Sequence, residues 1–190
     1  MTSATATSKL ETTRLHKLVV LGAASAMSLM LLASTARAGE ASSSATASNL
    51  GTAAATAGYN GDGRGYVQTQ TRTGNVNVAR GVAVGVDQNG ITFSASNAVA
   101  SRFLPAAVAS NLNITIGFNG QVASSGGISV AQGPFQRTAS AGGFASNNRF
   151  NATAGSTAGG STDRFGTVRA NTFSRSTPAR LPITPLRWRR

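Results

Sequence analysis

The sequence predicts an all-β protein: a small antiparallel sheet or sandwich of about five short strands, behind a signal peptide and between disordered N- and C-terminal flanks. Three observations predict it. From Val76 to Val86 valine holds every even position but Arg80, and small residues hold the odd ones, a period-two pattern that only a strand satisfies. Asn-Gly pairs at Asn89-Gly90 and Asn119-Gly120 each stand between two such runs, the usual composition of a hairpin bend. Cysteine is absent and large apolar residues are sparse among Gly, Ala, Ser, Thr and Asn, so the core is modest and no disulfide supports it.

The elements follow in chain order. Residues 1–17 carry Lys9, Arg14, His16 and Lys17, an apolar run follows from Leu18 to Ala33, and Ala36-Arg37-Ala38 closes the segment. A basic stretch, a short apolar stretch and a small-residue exit make a secretory signal peptide over 1–38. The apolar run is shorter than the roughly 20 residues that span a bilayer. The expected location is secreted, periplasmic or cell surface. From Gly39 onward there remain thirteen Arg, no Lys, no His, and the acids Glu40, Asp62, Asp87 and Asp163, a net charge of +9.

Residues 39–57, GEASSSATASNLGTAAATA, read as a disordered linker because they offer little apolar bulk to offset the entropy of ordering. The β-rich domain is expected over 58–136. In Tyr66–Thr73, YVQTQTRT, alternation gives a strand with one weakly apolar side, suited to a sheet edge. Next comes the valine strand, then the bend, then Ile91, Phe93 and Ala95 on one face with Thr92, Ser94 and Ser96 on the other. A two-residue loop at Asn89-Gly90 pairs Val86 with Phe93, and a four-residue loop over 87–90 pairs Val86 with Ile91. Both set apolar against apolar, whereas a three-residue loop does not. The hairpin thus has one apolar face and one smooth face that accepts a close neighbour, either another sheet or a second copy. Pro105 interrupts any helix through the Ala-rich 98–110. Leu112, Ile114, Ile116 and Phe118 begin a second hairpin, whose three-residue loop with a glycine bulge brings Val122 opposite Ile116. Gly126-Gly127 breaks the chain, and Ile128 and Val130 form a last short strand before Pro134.

Residues 137–190 lose the pattern. Phe144, Phe150, Phe165 and Phe173 stand isolated among polar residues and arginines, and the fragments NNRF, TDRF and ANTF lack the fixed spacing of a repeat array. The expectation is a disordered, Arg-rich tail.

Much chemistry is excluded. With no His or Cys after the leader there is no imidazole base for a nucleophile and no soft metal ligand. The four acids lie far apart, and Asp62 and Asp87 sit in turn-like contexts where an aspartate caps a bend. No catalytic residue, cofactor site or metal site is therefore assigned, and the protein is not expected to be an enzyme. Asn60–Gly65, NGDGRG, has neither the first aspartate nor the bidentate glutamate of a calcium loop, and no strand–helix frame for a nucleotide fingerprint. Thr69, Thr71, Thr73 and the row Thr92, Ser94, Ser96 read as ordinary sheet positions rather than a ligand-facing array. Asn113-Ile114-Thr115 and Asn151-Ala152-Thr153 fit the glycosylation pattern, with Asn113 poorly placed in a strand.

The basic tail carries the most specific hint. Arg180, Arg187, Trp188, Arg189 and Arg190 combine guanidinium forks with a ring, a composition suited to polyanions and anionic surfaces. VAVGV at Val82–Val86 is similar to turns of trimeric autotransporter heads. Those heads need many copies and a C-terminal anchor, so no family is assigned. Two functions compete. The first is an exported structural or adhesive surface or matrix protein that self-associates through its β-rich module. The second is a protein binding an anionic polymer or membrane surface through its tail. Intracellular nucleic acid is not an expected partner of an exported chain.

Overall fold

The computed structural model describes residues 39–177. They form ten antiparallel strands: β1 (Gly39–Ser48), β2 (Thr52–Asn60), β3 (Arg64–Arg72), β4 (Val76–Asp87), β5 (Gly90–Ser101), β6 (Ala106–Gly117), β7 (Val122–Gln132), β8 (Arg137–Asn147), β9 (Ala152–Thr162) and β10 (Thr167–Thr177). A four-stranded sheet runs β2-β1-β8-β9, and a six-stranded sheet runs β10-β7-β6-β5-β4-β3. The chain changes sheet at 61–63, 133–136 and 163–166. β1 lies over β4 and β5, β8 over β5 and β6, and β9 over β7. The wider sheet overhangs at both sides, so β3 and β10 are exposed along their whole length.

The valine hairpin pairs Val86 with Ile91 and Val84 with Phe93, the second of the two registers parity allows. The bend holds Gln88 and Asn89 rather than Asn89-Gly90. Its cause is Asp87, whose Oδ1 accepts from the Asn89 amide at 2.8 Å and the Gly90 amide at 3.0 Å, closing an Asx turn one residue early. In the second hairpin Ile116 pairs with Val122. The Gly117 amide donates to the Gln121 carbonyl at 2.8 Å, leaving Phe118, Asn119 and Gly120 as a three-residue loop with Gly120 at φ 82°. That left-handed residue is the one a three-residue hairpin loop requires.

Four expectations are corrected. Ten strands replace about five. Residues 39–57 are not a linker: they supply β1 and most of β2, and β1 is central in its sheet. Within 137–190, residues 137–177 supply β8, β9 and β10. Gly126-Gly127 does not break the chain but lies within β7. One physical reason covers all four. These strands do not bury large side chains; they bury Ala, Ser and Gly, so their period-two pattern has almost no hydropathy contrast. In β1 the residues Ala41, Ser43, Ala45 and Ala47 are buried, and Ser42, Ser44 and Thr46 between them are not.

The interior follows from this. Its apolar part is alanine: Ala45, Ala47, Ala79, Ala98, Ala100, Ala107, Ala109, Ala131, Ala139 and Ala141 make one cluster. The largest fully buried side chains are Asn77, Asn113 and Asn147. Buried polar groups must be hydrogen-bonded, and here many of these bonds join the two sheets. The Ser43 Oγ lies 2.8 Å from both the Ser94 and the Ser96 hydroxyls. The Asn77 amide donates to the Ser48 carbonyl at 2.6 Å, the Asn111 amide donates to the Gly142 carbonyl, and the Ser129 hydroxyl donates to the Ser140 carbonyl at 2.9 Å. A Cβ added at Gly81 would run into the Thr56 carbonyl oxygen, so the backbones of the two sheets approach closely there, and one at Gly143 would run into the side-chain amide of Asn113.

Candidate functional site: an uncovered apolar sheet face

The smooth face of the valine hairpin packs on the second sheet. The large apolar side chains therefore point the other way. In the register of the six-stranded sheet, Val76, Val78, Val82, Val84 and Val86 of β4 stand beside Ile91, Phe93 and Val99 of β5. These stand in turn beside Val108, Leu112, Ile114 and Ile116 of β6, then Val122, Ile128 and Val130 of β7. None of these is buried. Ile128 is 56% exposed, and Val86, Leu112 and Ile116 are each more than 40% exposed. An exposed contiguous apolar patch is the informative departure from a normal surface, where such residues occur singly.

The three central strands carry no charge on this face. The charges stand toward its sides: Arg64 and Arg72 on β3, Arg80 on β4, Arg169 and Arg175 on β10, all on outward positions by their pairing. No acid occupies an outward position of the six-stranded sheet. The opposite outer face, on the four-stranded sheet, is different in kind. There Ser42, Ser44, Thr46 and Thr56 line up with Thr138, Ser140, Thr153 and Thr157. The sandwich is thus apolar on one broad face and hydroxyl-bearing on the other.

The sequence-derived candidates fall as follows. Arg180, Arg187, Trp188, Arg189 and Arg190 lie outside the described residues, as does the segment 1–38. Asp87 and Asp163 serve as turn acceptors. Asp163 takes the Phe165 amide at 3.0 Å on one oxygen and the Phe135 and Gln136 amides at 3.1 and 3.2 Å on the other. Among the described residues no three His, Cys, Asp or Glu side chains come together as a metal site. Thr92, Ser94 and Ser96 are buried between the sheets and cannot face a ligand. Asn113 is wholly buried, while Asn151 is exposed in the β8–β9 turn. Arg149 and Arg164 sit over the rings of Phe150 and Phe165, at 5.7 and 4.6 Å from the ring centres. The sequence left open whether another sheet or a second copy covers the smooth face of the hairpin; the second sheet does, and the large apolar row faces outward.

Compared with known proteins, the chain matches no family model, no curated protein and no solved structure.

Proposed function

We propose that the protein is an exported structural or adhesive surface protein that self-associates by packing the apolar face of its six-stranded sheet against the same face of a second copy. The observation that carries this reading is the outward row of Val, Ile, Leu and Phe on four adjacent strands. Apolar area is worth about 25 cal/mol per Å² when removed from water. The four adjacent strands that carry it, about 4.8 Å apart with about eleven residues each rising about 3.3 Å, span roughly 700 Å². That is close to the roughly 800 Å² per partner of a stable protein interface. Two flat sheet faces pack at about 10 Å with their strands nearly aligned, and a two-fold pairing needs no other partner.

The open edges support a face-to-face route over an edge-to-edge one. β3 and β10, the outer strands of the six-stranded sheet, carry Arg64, Arg72, Arg169 and Arg175, and charged edges oppose strand addition. In a face-to-face pair these arginines lie at the rim, where water solvates them.

Light scattering of the purified chain over a range of concentrations tests this. The expected result is a mass above the monomer that falls to the monomer in the double variant Val84→Asp/Ile114→Asp, with the β-sheet circular dichroism retained. A monomeric parent chain at high concentration refutes the reading.

A further inference from the structure

Outward along β3 run Arg64, Tyr66, Gln68, Gln70 and Arg72, paired with Val86, Val84, Val82, Arg80 and Val78 of β4. Every one of the five is exposed, Tyr66 by 58%. This row differs from the apolar face beside it: it is polar, cationic at both ends and aromatic near one of them. It stands at the free side of the sheet, so a face-to-face pairing of the central strands leaves it open to solvent.

The row does not satisfy itself. The Tyr66 hydroxyl donates to the Gln68 Oε1 at 3.1 Å, which fixes the Gln68 amide and leaves its NH₂ group free to donate. Among the described residues the side chains of Gln70, Arg64, Arg72 and Arg80 make no hydrogen bond or ion pair. Arg72 and Arg80 are diagonal neighbours across the β3–β4 pair, a placement that brings long side chains within reach, and like charges there repel. No carboxylate stands on the outward face to offset them. Beside Arg72 the β3–β4 bend leaves a hollow of about 320 Å³ lined by Arg72, Thr73, Gly74, Asn75, Val76 and Val78.

We propose that this row is a binding strip for an acidic polysaccharide, a sugar polymer bearing carboxylate or sulfate groups. Arg64 and Arg72 take the anionic groups in forked, charge-assisted bonds. Gln68 and Gln70 offer both donors and acceptors, which suits sugar hydroxyls; a bare phosphate chain has no donor for their acceptor oxygens. The Tyr66 ring gives the apolar face of a sugar ring a flat partner. From Arg64 to Arg72 the strand extends about 27 Å, long enough for several rings in line. The strip and the apolar face act independently: one copy holds polymer at its edge whether or not its face is paired.

Affinity electrophoresis of the full chain through gels holding polygalacturonate, neutral dextran or polyphosphate tests the proposal. Retardation is expected in polygalacturonate and not in dextran. Arg64→Gln/Arg72→Gln is expected to weaken binding more than tenfold, since charged hydrogen bonds are lost. Tyr66→Ala weakens it severalfold, and Tyr66→Phe weakens it little. These substitutions lie on an exposed edge, and circular dichroism checks that the sheets persist. Ile114→Asp, which breaks the apolar face, is expected to leave the retardation unchanged, so failure of self-association and failure of the strip give different results. Parent-like binding in the strip variants assigns retention to the tail arginines and overturns the proposal. Equal affinity for polyphosphate with no effect of Tyr66→Ala also overturns it, in favour of a general polyanion surface.

Discussion

Ser94 on β5 donates its hydroxyl to the Asn113 Oδ1 on β6 at 2.6 Å, and both side chains are completely buried. Asn113 also donates to the Gly155 carbonyl of β9 at 3.1 Å and to the Ser125 hydroxyl at 3.3 Å. One amide thus ties three strands of one sheet to the other sheet. A polar bond of this kind stands where most sandwiches place a leucine.

Asn113→Ala is expected to cost about 2 kcal/mol, because it removes several buried bonds at once and takes the side-chain donor away from the Gly155 carbonyl. Asn113→Leu, apolar but larger, is expected to be at least as costly. Urea unfolding of the two variants measures this, and a stable leucine variant contradicts the account of a close-packed polar interior.

The two faces of a strand respond oppositely to size. Ala109 is buried between the sheets, and Ala109→Leu overpacks the gap at an expected cost of about 1–3 kcal/mol. Val84 points out of the sandwich, so Val84→Ala is expected to cost less than about 1 kcal/mol in the monomer, as surface substitutions do not leave cavities. Its main effect falls on self-association, read as a rise in the dissociation constant by sedimentation. The reverse ranking contradicts the observed facing of β4.

Arg137 is 3% exposed and, among the described residues, has no carboxylate partner. Its guanidinium donates to the Gly133 carbonyl at 2.6 Å and the Ser101 carbonyl at 3.1 Å, while its own amide donates to the Asn49 Oδ1 at 2.8 Å. It joins the ends of both sheets through backbone oxygens. Arg137→Lys keeps the charge but cannot fork, so a loss of about 2–3 kcal/mol is expected. A lysine variant with parent-like melting shows the fork is dispensable.

Tyr59 packs over Gly65 and Gly85 at the corner between the sheets. Its hydroxyl oxygen is shielded from solvent beside the Gly63 backbone. Burial holds its pKa above the usual 10.0, and the neighbouring Asp87 charge adds to that. Below that pH the phenol is protonated in both folded and unfolded chains and contributes no pH dependence. Above it the unfolded chain releases the proton first, so stability falls as pH rises. Tyr59→Phe is expected to leave neutral-pH stability nearly unchanged and to flatten the decline above pH 10, followed by thermal melts across that range.

The sequence made the β4–β5 and β6–β7 hairpins legible because valine, isoleucine and phenylalanine alternate there with small residues, and parity then limits the register. It did not reveal β1, β2, β8, β9 and β10. In β9, ATAGSTAGGST, both rows are small, and nothing local distinguishes a strand from a flexible segment. Only the partner sheet, which needs small residues opposite it, gives those rows a reason. Arg137 was illegible for another reason: an arginine anchored by carbonyls leaves no acid in the sequence to pair with it. The β3 strip was half legible, since alternation put Tyr66, Gln68, Gln70 and Arg72 on one side, but that the second sheet stops short of β3 and leaves both its sides exposed depended on strands the sequence did not reveal.

The alanine and serine interior also shapes how the protein responds to temperature. Little greasy surface becomes wet when the chain unfolds, and its heat-capacity increment, set mainly by newly wetted hydrocarbon, falls below the customary value of about 12–15 cal/mol/K per residue. A plot of unfolding free energy against temperature is then broad and shallow, and the fold tolerates chilling better than a valine-filled sandwich of equal length.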